Sequence, residues 1–133
     1  MSLVVANIDH FRHIDATYGP IAGDAVLREV ARRIRGALRP PDSIGRSVAD
    51  AFVMVLPGCD APTAANLAEK FWARVDRRDV DTSEAMMPAT VSIGVVVISS
   101  QKALDLDTAW RLATEALARA KANGRDRVEF TPL

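Results

Sequence analysis

Arg39 and Asp42, separated by Pro40-Pro41, have the types and spacing to hold an anionic or purine ligand. A guanidinium can grip a phosphate, or the O6/N7 edge of guanine, through two parallel hydrogen bonds, and a neighbouring carboxylate can accept N1–H and N2–H of the same base. Each charge-assisted contact contributes about 1.5–3 kcal/mol, so a few in one pocket suffice for micromolar binding. The same residues also have a plain structural use, since Arg39 at a helix end complements the dipole and Asp42 can start a turn. Asn7 and Asp9 form a second polar group: they close an apolar run and, two residues apart, face the same side. His10 and His13 lie three apart but lack the third histidine or partner cysteine of a zinc set. Cys59, the only cysteine, follows Gly58 and reads as a small residue at a turn.

A third group, Arg46-Ser47-Val48-Ala49-Asp50-Ala51-Phe52, lies between two short apolar runs and reads as a hairpin tip. Its turn chemistry is unusual, because Val48-Ala49 stands where tight hairpin loops favour Gly, Asn or Asp, and a β-branched residue resists positive φ. Composition bounds what these groups can serve. At 133 residues, 49% hydrophobic and 26% charged, the chain reads as one folded domain over residues 1–133, neither a disordered tail nor a disulfide scaffold. Seventeen Lys+Arg balance 17 Asp+Glu, so no global field attracts DNA, RNA or an acidic membrane, and an anion must be met by local arginines. The apolar runs are strand-length, short of the roughly 20 residues of a membrane span, and no signal-peptide pattern opens the chain. A cytoplasmic protein with no direct membrane insertion is expected.

The elements that position these groups follow from periodicity. Leu3 to Ile8 predicts a buried strand; Phe11, Ile14 and Tyr18 predict a short helix ending at Gly19-Pro20. Asp24 is read as the start of a longer helix with the stripe Leu27, Val30, Ala31, Ile34 and Leu38, stopped by Arg39-Pro40-Pro41. Ser43–Ser47 and Phe52–Leu56 are the hairpin strands. Asp60 caps a third helix, with Ala64, Leu67, Ala68, Phe71 and Val75 on its buried face, and residues 77–84 read as solvated loop. Ala89 to Ile98 is strongly strand-like, with Gly94 marking a bulge or close backbone approach. Asp107 is read as the cap of a last helix with Trp110, Ala113, Leu117 and Ala120 as its stripe, ended by Asn123-Gly124; Val128 to Phe130 closes the chain as a strand. Trp72 and Trp110 are assigned to core or partner surface, not to base stacking. The order β-α-α-β-β-α-β-α-β implies a mixed sheet covered by helices, an α/β or α+β sandwich.

Taken together and in order, these motifs resemble the GGDEF family, the diguanylate cyclases that condense two GTP into cyclic di-GMP. Asn7-Ile8-Asp9-His10-Phe11-Arg12-His13-Ile14-Asp15-Ala16-Thr17-Tyr18-Gly19 matches the family's D-x-D-x-F-K-x-x-N-D-x-x-G block. Gly23-Asp24-Ala25-Val26-Leu27 matches G-D-x-x-L, Ser92-Ile93-Gly94-Val95 matches S-I-G-x, and Ala120 to Val128 matches A-K-x-x-G-R-N-x-V. The signature slot then falls on Val48-Ala49-Asp50-Ala51-Phe52. The resemblance implies a five-stranded mixed sheet flanked by helices, similar to the nucleotidyl cyclase palm. A helical lead-in with an L-T-x-L-x-N-R-like motif usually precedes the first strand in the family, and residues 1–133 are expected to be a single domain lacking it.

The resemblance also assigns roles, and several positions depart from it. Two signature glycines that let the backbone approach GTP correspond to Val48 and Ala49, each adding a Cβ. Metal ligands correspond to Asn7, Ile8 and Asp50; asparagine keeps a neutral oxygen but gives up a charge that Mg²⁺ favours, and the second signature acid is Ala51. Asp9, on the face of Asn7, is the residue that could take over as ligand. The asparagine that reads guanine corresponds to Asp15, while Asp24 and the phosphate-binding Lys121 and Arg125 are retained. The catalytic set is therefore expected not to be intact and no cofactor to be bound, with Mg²⁺ or Mn²⁺ needed only for residual cyclase activity. Arg39 lies nine positions before Val48, where the family carries its R-x-x-D inhibitory site, so Arg39 and Asp42 are expected to bind cyclic di-GMP, with Lys70 in place of a second arginine. The expected role is a degenerate GGDEF domain acting as a cyclic di-GMP receptor, as a homodimer or beside other domains of a longer signalling protein. Two rivals remain: a residual diguanylate cyclase, and a dimerisation or regulatory module that binds no nucleotide.

Overall fold

The computed structural model of the chain describes residues 1–47, 51–82, 85–98 and 105–131. In chain order its elements are β1 (Ser2–Ile8), α1 (Phe11–Tyr18), α2 (Pro20–Arg35), β2 (Ser43–Arg46), β3 (Ala51–Leu56), α3 (Ala61–Asp76), β4 (Val80–Asp81), β5 (Met86–Met87), β6 (Val91–Val97), α4 (Leu106–Ala122) and β7 (Arg127–Phe130). Five strands form one sheet of order β2-β3-β1-β6-β7, in which β7 runs parallel to β6 and the other pairs are antiparallel. This is the mixed, helix-flanked sheet that the sequence predicts.

β1 is the central strand, and its alternation divides the core. Val4, Ala6 and Ile8 join Phe52, Met54, Leu56, Ile93 and Val95 beneath α2 and α3, whose Val26, Val30, Ile34, Phe71 and Val75 fill that layer. Leu3 and Val5 face the other way with Val96, against Ala109, Ala113 and Leu117 of α4. Gly94 is what lets α4 lie so close. A Cβ there would fall on the Ala113 carbonyl oxygen and the Leu117 amide nitrogen, so the helix backbone rests directly on β6, the close approach expected of that glycine. The facing helix surface is correspondingly small, with Ala109, Ala113, Ala116 and Ala120 all buried.

Four boundaries differ from the sequence expectation, each for a physical reason. α2 begins at Pro20, four residues before Asp24, because proline at the first helical position sacrifices no internal hydrogen bond; its helix ends at Arg35, which puts Leu38 beyond it. α4 is capped by Asp105, whose carboxylate accepts the Thr108 N–H at 2.7 Å, and not by Asp107, which sits in the first turn. That register turns Trp110 away from the buried stripe, to 37% exposure. Within the stretch read as loop, β4 and β5 pair as a two-residue ribbon. Asp60 does cap α3, accepting the Thr63 N–H at 3.0 Å.

Candidate functional site

At the C-terminal end of β1 the strand opens onto a cleft of about 650 Å³, whose walls include Asn7, Ile8, Ser47, Ala51, Lys121 and Arg125. Asn7 arrives there because β1 pairs on both sides, opposite Ala51 of β3 and Ser92 of β6. Lys121 comes from the last turn of α4. Arg125 follows Gly124 (φ 117°) in a turn where Arg125 itself takes φ 65° and donates its N–H to the Ala120 carbonyl at 2.9 Å. Such a left-handed closure satisfies carbonyls at the helix end and swings the chain back toward β7. The structure thus brings five of the expected residues together: Asn7, Ile8, Ala51, Lys121 and Arg125. Trp110 and Phe11 line the same cleft.

Of the signature stretch, Val48, Ala49 and Asp50 lie outside the described residues. The hairpin is closed at its base by Ser47 N–H donating to the Ala51 carbonyl at 3.0 Å, and Ala51 and Phe52 are both buried. Phe52 is a core residue of the sheet's α2–α3 face.

Asp9 is buried and its carboxylate is fully used inside the protein. Oδ1 accepts the Ser92 hydroxyl at 2.6 Å; Oδ2 accepts the Thr90 hydroxyl at 2.7 Å and the Asp126 N–H at 3.0 Å. Its own N–H donates to the Thr90 carbonyl, and His10 beside it takes φ 57° as the chain turns into α1. Asp9 therefore ties the end of β1 to β6 and to the entry of β7, and its three donors argue against the alternative that it replaces Asn7 as a metal ligand. Among the described residues no group of three or more His, Cys, Asp or Glu side chains could hold a metal. Among the described residues the cleft offers a hard cation the neutral amide of Asn7 and backbone carbonyls, which lack the anionic oxygen that Mg²⁺ favours; Asp50, the acid expected there, lies outside the described residues.

Asp15 and Asp24 sit apart from the cleft walls, on the α1–α2 corner. Gly23 lies against both Asp15 and Phe11: a Cβ there would be 2.6 Å from Asp15 Oδ1 and 3.2 Å from Phe11 Cζ, so the Gly-Asp pair keeps α1 and α2 in contact. Asp24 lines a shallow surface hollow and pairs with Arg28 at 2.6 Å, an exposed i,i+4 pair of little energetic weight.

Arg39 and Asp42 face each other. The Asp42 carboxylate accepts the Arg39 N–H at 2.8 Å, Nη2 at 2.8 Å and Nε at 3.1–3.2 Å, while Nη2 also donates to the Pro57 carbonyl at 2.9 Å. The Asp42 side chain is completely buried and that of Arg39 is 31% exposed. Burial alone would raise the Asp42 carboxyl, but the hydrogen bonds from Arg39 outweigh it and hold it below the usual carboxylate range. The hydrogen bond to Asp42 likewise raises Arg39. Arg39 Nη1 makes no hydrogen bond among the described residues. Lys70 lies on the exposed face of α3.

Two further residues have no place in the sequence reading. Asp126, at φ 50°, accepts Trp72 Nε1–H at 2.7 Å while its N–H serves Asp9, so α3, β1 and the turn before β7 meet at one residue. Arg33 is buried within the α2 stripe and donates to the Val75, Arg78 and Asp79 carbonyls at the end of α3. The i,i+4 spacing from Glu29 was its one visible signal.

The layered sheet and a cleft at the end of its central strand define a nucleotidyl-cyclase-like α+β domain. The family described as "Diguanylate cyclase, GGDEF domain" matches residues 1–127, and the chain belongs to it. It is 35% identical over 128 residues to the probable diguanylate cyclase DgcT of Escherichia coli K12, covering 95% of this chain and 28% of that protein. Among solved structures it is similar to the diguanylate cyclase SiaD of Pseudomonas aeruginosa in complex with its activator SiaC, with 29% identity, a TM-score of 0.90, and coverage of 97% of this chain and 49% of that one. It is also similar to the GGDEF domain of DgcB from Caulobacter crescentus in complex with c-di-GMP, with 28% identity, a TM-score of 0.85, and coverage of 98% and 77%. The chain spans well under half the length of the curated relatives it matches. No described helix is long and apolar enough to cross a membrane.

Proposed function

We propose that this GGDEF domain acts in cyclic di-GMP signalling as a receptor: it binds cyclic di-GMP through Arg39, with Asp42 and Lys70 alongside, and does not condense GTP. The observation that carries the reading is the contrast between the two acidic positions. At the cleft, the strand-end ligand is neutral Asn7, and the neighbouring carboxylate of Asp9 is consumed by Ser92, Thr90 and Asp126. Condensing triphosphates depends on charge neutralisation, which an amide cannot supply. Val48 and Ala49, each carrying a Cβ where the family has glycine, further oppose the close backbone approach of a nucleotide, and Ala51 removes the second signature acid.

At the other site the guanidinium is already aimed. Asp42 holds Arg39 by Nε and Nη2, leaving Nη1 to meet a phosphate oxygen or a guanine edge. For Asp42 itself to accept guanine N–H groups, the ion pair must open, so ligand binding and loosening of this pair are coupled. Receptors of the sort would sit within a longer signalling protein, alone or as a homodimer in the cytoplasm.

Equilibrium titration with cyclic di-GMP is expected to show saturable binding to the wild type, weakened about tenfold or more in Arg39→Ala. Equal affinities, or none in either, contradict the receptor reading. The rival, a residual cyclase, is favoured by the 650 Å³ cleft that still carries Lys121 and Arg125. Incubation with GTP and Mn²⁺ followed by product analysis separates the two, and clear turnover to cyclic di-GMP would refute catalytic silence.

A further inference from the structure

Away from the cleft and from Arg39, the C-terminal ends of α2 and α3 enclose a hollow of about 200 Å³ lined by Arg32, Arg33, Gly36, Arg74, Arg77 and Arg78. Five of its six lining residues are arginines, in a chain whose net charge is zero. Helix C-termini attract cations through the dipole, which is an ordinary reason for basic residues there. Arg33 alone meets that need at α3: it is buried and donates to the Val75 and Arg78 carbonyls at 2.9 and 2.7 Å and to Asp79 at 3.1 Å. Glu29 then balances Arg32 through two 2.7 Å hydrogen bonds and Arg33 through one of 2.8 Å. Arg74, Arg77 and Arg78 have no carboxylate partner among the described residues.

Gly36 shapes the hollow. A Cβ on it would lie 2.7 Å from Arg74 Nη1, so the Arg74 guanidinium rests against the bare end of α2 and would have to shift its tip to make room for a side chain. Gly36 has φ −62° and ψ −17°, an ordinary helical conformation, so its backbone does not require glycine.

We infer that this hollow is a binding site for a compact, multiply charged phosphate group, with Arg74, Arg77 and Arg78 as its ligating residues and Arg32 and Arg33 as its fixed positive wall. Guanidinium forks suit phosphate oxygens, and Glu29, the carboxylate bonded to the wall, is already taken by Arg32 and Arg33. No aromatic or aliphatic side chain lines the hollow, so it has no platform for a base and no surface for an acyl chain. Recognition therefore rests on the phosphate itself, free in solution or pendant on a lipid headgroup.

The test is calorimetric titration of the wild-type chain with inorganic pyrophosphate at low ionic strength, beside Arg74→Gln, Gly36→Ala, Arg111→Gln and Arg125→Gln. Saturable binding is expected, weakened about tenfold in Arg74→Gln and by less, about twofold to threefold, in Gly36→Ala, which changes no charge but displaces the Arg74 tip. Arg111→Gln removes the same charge from an exposed pair on α4 and is expected to stay within about twofold of the wild type. Absence of saturable binding, an equal loss in Arg111→Gln, or a loss confined to the cleft variant Arg125→Gln overturns the assignment. Sedimentation with phosphatidylcholine vesicles, with and without phosphatidic acid, identifies the source. Arg74-dependent capture by the acidic vesicles assigns a lipid headgroup; pyrophosphate binding without capture assigns a free anion; failure of Arg74→Gln to change either refutes the site.

Discussion

Asp9 and Asp42 are two buried carboxylates at the two ends of the same sheet, and they are held in opposite ways. Asp9 takes three neutral donors, two hydroxyls and a backbone N–H, from two distant segments, the start of β6 and the turn before β7. Asp42 takes almost all of its hydrogen bonds from one arginine three residues away, whose guanidinium remains partly exposed. The first arrangement is part of the fold's closure and cannot be released without separating β1, β6 and β7. The second is a local ion pair at the protein surface that an incoming anion can compete for. A carboxylate's place in a motif therefore says less about its use than the donors that surround it.

The largest effect that would sharpen this contrast is on Asp9. Asp9→Ala strands the Ser92 and Thr90 hydroxyls and the Asp126 N–H, and should lower unfolding stability by about 3 kcal/mol in urea titrations. Asp42→Ala should cost clearly less, since Arg39 can turn to water. If the two losses were equal, the distinction between a closure residue and an exchangeable pair would fail.

Acid stability reports the arginine-held carboxylates. Glu29, hydrogen-bonded first to Arg32 and, against an opposing cost of burial, also to Arg33, is lowered from 4.5 to about 2, and Asp42 is lowered as well. Because these folded-state values lie below the unfolded ones, the stabilisation is present above the ordinary carboxylate range and is lost as pH falls from about 5 through the folded values. Glu29→Gln should therefore flatten the decline in stability between about pH 5 and 2, as followed by thermal melts. An unchanged acid limb would contradict the tight hold of Arg32 and Arg33 on this carboxylate. The smallest effect is expected at Trp72→Phe, which removes the 2.7 Å hydrogen bond to Asp126 and part of a half-buried ring packed on the core, and should cost about 1–2 kcal/mol.

Much of this architecture was legible in the residues. The apolar run of Leu3 to Ile8, the Asp60 cap and the Asn123-Gly124 stop all describe local preferences, and the structure keeps them. Gly94 could be read as a close approach because a glycine inside an apolar strand has few other uses. Helix starts were harder, since Asp24 and Asp107 have the chemistry of caps while α2 starts at Pro20 and α4 is capped by Asp105. The use of Asp9 was hidden because its partners lie 81 to 117 residues away. The arginine hollow was hidden for the same reason: Arg32 and Arg78 are ordinary surface charges until α2 and α3 end side by side.

The receptor reading requires that cyclic di-GMP bind at Arg39 and not in the cleft. Isothermal titration of the wild type, Arg39→Ala and Arg125→Gln addresses it directly. Affinity should fall about tenfold or more in Arg39→Ala and stay near the wild-type value in Arg125→Gln, placing the ligand at the exchangeable pair. Loss of binding in Arg125→Gln with Arg39→Ala unaffected would place it in the cleft and contradict the account.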